Sequence, residues 1–108
     1  MSEQTARTPG AKRAGPGEYV FDLAKVNHIL GGPDYSTANG ACVEGERMIV
    51  GLMRMPAGTG AEPHSHPNEQ WIYIPANTLH SVNVKPGQDV LFFTVKDASH
   101  SLHGIKAG

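Results

Sequence analysis

The stretch EPHSHPNEQW, Glu62 to Trp71, gathers two histidines, two glutamates and a glutamine, and a third histidine, His80, follows in WIYIPANTLH. Neutral imidazole nitrogen is a ligand for iron, nickel, copper and zinc. In an extended strand successive side chains alternate faces, so His64 and His66 point the same way, about 6.6 Å apart along the chain. That separation lets two rings converge on one divalent ion. The same period carries Asn68 and Gln70 onto the histidine face and turns Glu69 away from it. The amide oxygen of Gln70 is therefore better placed as a third ligand than the Glu69 carboxylate, although Pro67 lies within the run and can interrupt the alternation. An isolated H-x-H pair is more often a solvent-facing pair than a site, so its surroundings decide.

Those surroundings follow a pattern. G-TGAEP-H-S-H-PNE-Q, from Gly58 to Gln70, resembles the first cupin motif, with Gln70 at the position usually held by glutamate. P-A-N-T-L-H-S-V-N, from Pro75 to Asn83, resembles the second motif, where a proline turn precedes the last metal-binding histidine. The likeness spans Met48 to Val95. It implies an all-β protein folded as a cupin-type double-stranded β-helix, a small β-barrel holding one divalent metal ion (iron, manganese, nickel or zinc). Carried over position by position, the ligands are His64, His66, Gln70 and His80. Glutamine at the third position is similar to small cupins that act on unsaturated sugar acids.

A set of three imidazoles and one amide is neutral, so a bound ion keeps its full charge. Such an ion polarises a carbonyl or carboxylate and lowers the pKa of bound water. The expectation is an enzyme, an isomerase, lyase or oxygenase, acting on a small carboxylated or enolisable substrate such as a sugar acid. The alternatives are a non-catalytic cupin that binds or senses a small molecule, and a metal-free deletion variant. No catalytic residue is assigned: Tyr73 could donate a proton and Arg54 could orient an anion, but side chains of these types more often pack on a wall.

The chain departs from the family between the motifs. Trp71-Ile72-Tyr73 looks like the start of one strand and Ile74-Pro75 like the end of a later one, joined directly, so that roughly two strands are missing. Three explanations compete: a natural or engineered deletion, a mobile hairpin absent from the sequence as given, or a truly shortened barrel, the abrupt join favouring one of the first two. A hairpin QWIYI-PANT-LHSVNV would then set Tyr73 opposite His80. Cross-strand partners share a face, which would place His80 with Trp71 and away from Gln70. A one-residue change of register reverses that outcome. If the missing strands exist, or a partner subunit supplies them by exchange, the four-ligand site is complete.

The elements around the motifs read as short strands between turns. Thirteen glycines and eight prolines among 108 residues exceed ordinary usage and mark many tight turns. Residues 1–17, small, polar and broken by Pro9 and Pro16, are expected to be a flexible N-terminal arm, and 18–108 a single cupin domain with a polar C-terminal tail. EYVFDL (Glu18–Leu23) reads as a strand, AKVNHIL as a helical turn or extended segment, and GGPDYSTANGA as a loop. ERMIVGLMRM (Glu46–Met55) and VLFFTV (Val90–Val95) read as strands, the first apolar on both faces. The methionines read as core rather than copper ligands. His28, His100 and His103, which lack a third partner, read as surface or packing residues, and Cys42 as a buried apolar side chain.

A net charge of −1 gives no sign of nucleic-acid or anionic-membrane binding. No apolar run approaches spanning length and no signal peptide is visible. The expected partners are a small-molecule substrate and a second copy in a homodimer, with no nucleic acid and no membrane, in the cytoplasm.

Overall fold

The structure is a computed structural model and describes residues 6–71 and 73–107. Residues 1–5 of the expected arm, Ile72 of the QWIYI run and Gly108 lie outside the described residues. The described residues form an all-β protein without helix. Nine strands are β1 (Lys12–Arg13), β2 (Ile29–Leu30), β3 (Asn39–Glu44), β4 (Met48–Met55), β5 (Gly60–Ser65), β6 (Gln70–Trp71), β7 (His80–Asn83), β8 (Val90–Asp97) and β9 (Ile105–Lys106). They build a six-stranded sheet in the order β1-β3-β4-β8-β6, with β2 on β3, and a three-stranded sheet in the order β7-β5-β9. No closed barrel is formed among the described residues: no strand ladder joins the two sheets.

The larger sheet is built on β4, whose residues Met48–Met55 pair along their whole length with β8 and over six positions with β3. Alternation decides which side faces inward. Ile49, Gly51, Met53 and Met55 are buried, whereas Met48 and Arg54 are exposed and Val50 and Leu52 are half-buried. The strand is apolar on both faces as read, but only the Ile49 face is core, the Val50 face being half-buried. Ile49, Met53 and Met55 form a core with Cys42, Tyr35, Ala61, Val84 and Leu102. Met53, Met55 and Cys42 fill that core as read, whereas Met48 is exposed and Met1 lies outside the described residues, and burial pushes the Cys42 thiol up to about 12.

Three segments differ from expectation. Glu18–Leu23 is not a strand: Tyr19 and Val20 are exposed, and turns at Gly15–Glu18 and Asp22–Val26 bracket the segment. β-branched and aromatic composition does not make a strand where no sheet edge is offered. From Arg7 onward the expected arm lies against the sheet. The buried Glu44 carboxylate accepts the backbone N–H of Arg7 at 2.7 Å and of Thr8 at 2.8 Å, and Lys12–Arg13 adds a parallel strand to β3. Polar composition misleads here because the segment is held by charge-assisted hydrogen bonds rather than by apolar burial. The C-terminal tail is also built in: Leu102 is buried, its N–H donates to Thr8 Oγ1 at 2.7 Å, and Ile105–Lys106 pairs with β5.

Candidate metal centre

β5 carries His64, and the way it does so explains the glycines and prolines before it. β5 pairs with β7 through Gly60↔Asn83, Ala61↔Val82 and His64↔His80, with a shift of register between Ala61 and His64. Three steps on β5 therefore oppose two on β7, a β-bulge at Glu62–Pro63. Proline suits such a place because its missing N–H is not required by a ladder. The bulge turns both Ala61 and His64 inward, where they are buried. Gly60 starts the strand at φ +159°, and a Cβ there would collide with the Val82 carbonyl, so only glycine permits this register.

Beyond the bulge the alternation holds through Pro67. His64, His66 and Asn68 are buried and Gln70 is half-buried, while Glu69 is exposed. Glu69 points away as expected. Asn68 acts as a clamp, its amide nitrogen donating to the carbonyls of Asp97 at 2.7 Å and His100 at 3.0 Å.

The position of His80 resolves the question of register. The hairpin between QWIYI and LHSVNV does not form. Gln70 and Ile74 instead exchange both backbone hydrogen bonds in a tight turn, β6 pairs with β8, and β7 pairs with β5. As the direct partner of His64, His80 shares its face. One nitrogen from each of His64, His66 and His80 lies within 4.8 Å of the others. Ring centroids are 5.0 Å apart for His64–His66, 4.2 Å for His64–His80 and 5.4 Å for His66–His80.

Two of the rings are held in the tautomer a ligand needs. His64 Nδ1 lies 2.7 Å from the Glu62 carbonyl oxygen, and His80 Nδ1 lies 2.8 Å from that of Thr78. A carbonyl only accepts, so each Nδ1 carries the proton and each Nε2 of the neutral ring keeps a free lone pair. Metal-ligating histidines are commonly oriented by such a bond from the other ring nitrogen. Burial, followed by the nearby Lys96 ammonium and the other two histidines, pushes His66 down to about 3, and burial also lowers His64. Both rings are therefore unprotonated at neutral pH, the form that ligates.

Gln70 lines the same cleft, and its buried Oε1 has no hydrogen-bond partner among the described residues. A buried carbonyl-type oxygen without a donor carries a desolvation cost that a cation would offset. His66 Nδ1 is likewise buried and has no partner among the described residues. The cleft has a volume of about 270 Å³ and opens between the two sheets.

Several expectations fall outside this centre. His28 is exposed; His103 Nε2 lies 3.0 Å from the Leu30 carbonyl oxygen, and His100 Nδ1 lies 3.0 Å from Ser99 Oγ. Arg54 is exposed beside Asp89 at 3.7 Å and does not line the cleft. Tyr73 is half-exposed and packs against Trp71 at 5.1 Å.

Three residues of the site were not singled out by the sequence. Tyr35 stacks on His64 with ring centroids 4.0 Å apart, and its hydroxyl oxygen accepts the Gly104 N–H at 2.6 Å. Lys96 is buried, its Nζ donates to the Leu102 carbonyl at 3.3 Å, and burial brings its ammonium down to about 8. Gly104 backs the His66 ring so closely that a Cβ would stand 2.8 Å from Cε1 and 2.9 Å from Nδ1. Because these contacts fix the ring, G104A is expected to displace His66 and lower divalent-metal affinity about tenfold, the lower end of the loss seen when groups supporting a ligand are removed. Competition with a chromophoric chelator measures it; unchanged affinity would show that His66 is not held from this side.

No family model, no curated protein and no solved structure matches the chain.

Proposed function

We propose that the chain is a shortened, metal-dependent cupin-type enzyme in which His64, His66, His80 and Gln70 hold one divalent ion. The observation that carries this reading is the convergence of three histidines on one point, two of them with Nδ1 tied to a carbonyl. The motif order supports the family reading, and the unpartnered Gln70 oxygen in the same cleft supports it as the fourth ligand. A bound ion would supply Lewis-acid polarisation of a carbonyl or carboxylate oxygen. The chain's own residues supply the remainder: apolar walls from Met53, Met55, Phe92 and Val82 limit water, and the opening between the sheets admits a small molecule. The reaction class that fits is isomerisation or elimination next to a carbonyl. Exposed Trp71, Leu91 and Phe93 support a second copy as partner.

Deuterium exchange tests the reaction class. The metal-loaded chain is incubated in D₂O with small enolisable acids, and loss of the proton next to the carbonyl is followed by NMR. Exchange that disappears with a chelator and returns with metal is the expected result. A chain that holds its ion but exchanges none of them is a binding protein rather than an enzyme of this class.

A further inference from the structure

The cleft is unusual in its charge. Its described lining contains three histidines and one lysine but no aspartate or glutamate. Lys96 is only 5 % exposed, and no carboxylate among the described residues forms an ion pair with it. Its single hydrogen bond among the described residues, to the Leu102 carbonyl, leaves two of its three donors uncommitted there. Thr94 stands two residues earlier on β8, on the same inward face about 6.6 Å away. It too is 5 % exposed, and its buried Oγ1 has no partner among the described residues.

An ammonium removed from water without a counter-charge costs stability, and so does an orphaned hydroxyl. Here both face one cleft, on the strand that lies across from the histidines. A divalent ion held by neutral ligands would add further positive charge to the same space. The group that satisfies every one of these atoms is an anion with several acceptor oxygens. The volume, about 270 Å³, sits below the 300–1,000 Å³ of ordinary ligand pockets and restricts it to a small molecule.

Building on the metal-dependent reading above, we propose that Lys96 and Thr94 form an anion subsite that binds the carboxylate of a small acid and presents its neighbouring oxygen to the histidine cluster. Lys96 gives a charge-assisted hydrogen bond to the carboxylate, and the Thr94 hydroxyl donates a second. These are positioning residues that set specificity for acids over neutral analogues. Gln70 faces Lys96 in the β6–β8 pairing, so the two groups flank the same space.

Glycolate and glycolamide, equal in size and different in charge, are the probes. Calorimetric titration of the Ni²⁺-loaded chain is expected to give glycolate about tenfold or greater preference, in line with one charge-assisted hydrogen bond. K96M, matched in shape and apolar, lowers the preference about tenfold, leaving only what the ion itself contributes, while the nickel content per chain stays unchanged. T94V reduces it about threefold and protects the test should K96M fail to fold. The same comparison on the metal-free chain, read by NMR shifts, is expected to keep a weaker preference that K96M removes. A preference that survives K96M or T94V intact, or a parent that binds both probes equally, overturns the subsite. A parent that takes up no nickel overturns the metal reading instead, and the metal-free titration then decides the subsite on its own.

Discussion

Replacing His64 by alanine is expected to lower the affinity of the chain for Zn²⁺ or Ni²⁺ by about a hundredfold or more. Loss of a group that merely supports a ligand costs 10–100-fold, and loss of a ligand itself costs at least as much. H66A and H80A should do the same, because each contributes one nitrogen to a cluster whose members lie within 4.8 Å. H100A and H103A are the controls: their rings are engaged with Ser99 and with the Leu30 carbonyl, outside the cluster. Competition with a chromophoric chelator reads all five. Should H64A and H103A behave alike, the cluster is not the site of binding.

Acid is expected to destabilise the metal-free fold well above the pH at which carboxylates titrate. His66 has an ordinary value of 6.5 and is held down to about 3 in the folded chain. Between these values the unfolded chain binds a proton that the folded chain refuses, so stability rises with pH across this window and falls as pH drops through it. The slope approaches about 1.4 kcal/mol per pH unit, which amounts to roughly 2 kcal/mol from this ring between pH 6.5 and 4.5. The lowered His64 acts in the same direction. Glu18 and Asp97, whose values are also lowered, lose their contributions only below their ordinary values of 4.5 and 3.8, beneath the span from pH 6.5 to 4.5. Urea unfolding of the chelator-treated chain at several pH values measures the slope, and H66Q should flatten it by the equivalent of one proton. Equal slopes for parent and H66Q would mean that His66 is protonated in the fold.

Local alternation made much of this site readable. Period two placed His64, His66, Asn68 and Gln70 on one face and Glu69 on the other, and the burial of these side chains follows it. The strand Met48–Met55 was legible for the same reason, as was the run from Val90, which the structure extends to Asp97. The face of His80 was not legible, because it depends on which strand β7 joins. That partner is β5, a pairing across the whole β6 turn rather than the adjacent hairpin. Segments held by polar contacts were misread from composition: Thr8 is buried because Glu44 and Leu102 bind around it, which no hydropathy pattern displays. Thr94 was hidden in an apolar strand, and Lys96 lay just past that strand's expected end, in the polar tail. Counting in twos from Phe92, which is half-buried and lines the cleft, would have turned them inward and exposed a lysine where a core residue was due.

The most direct test is X-ray absorption at the metal edge of the loaded chain, with metal content measured on the same sample. One ion per chain, surrounded by three imidazole nitrogens at about 2.0–2.1 Å and an oxygen donor, is the result this account predicts. An ion that shows no imidazole scattering, or a chain that retains no ion after buffer exchange, would contradict it.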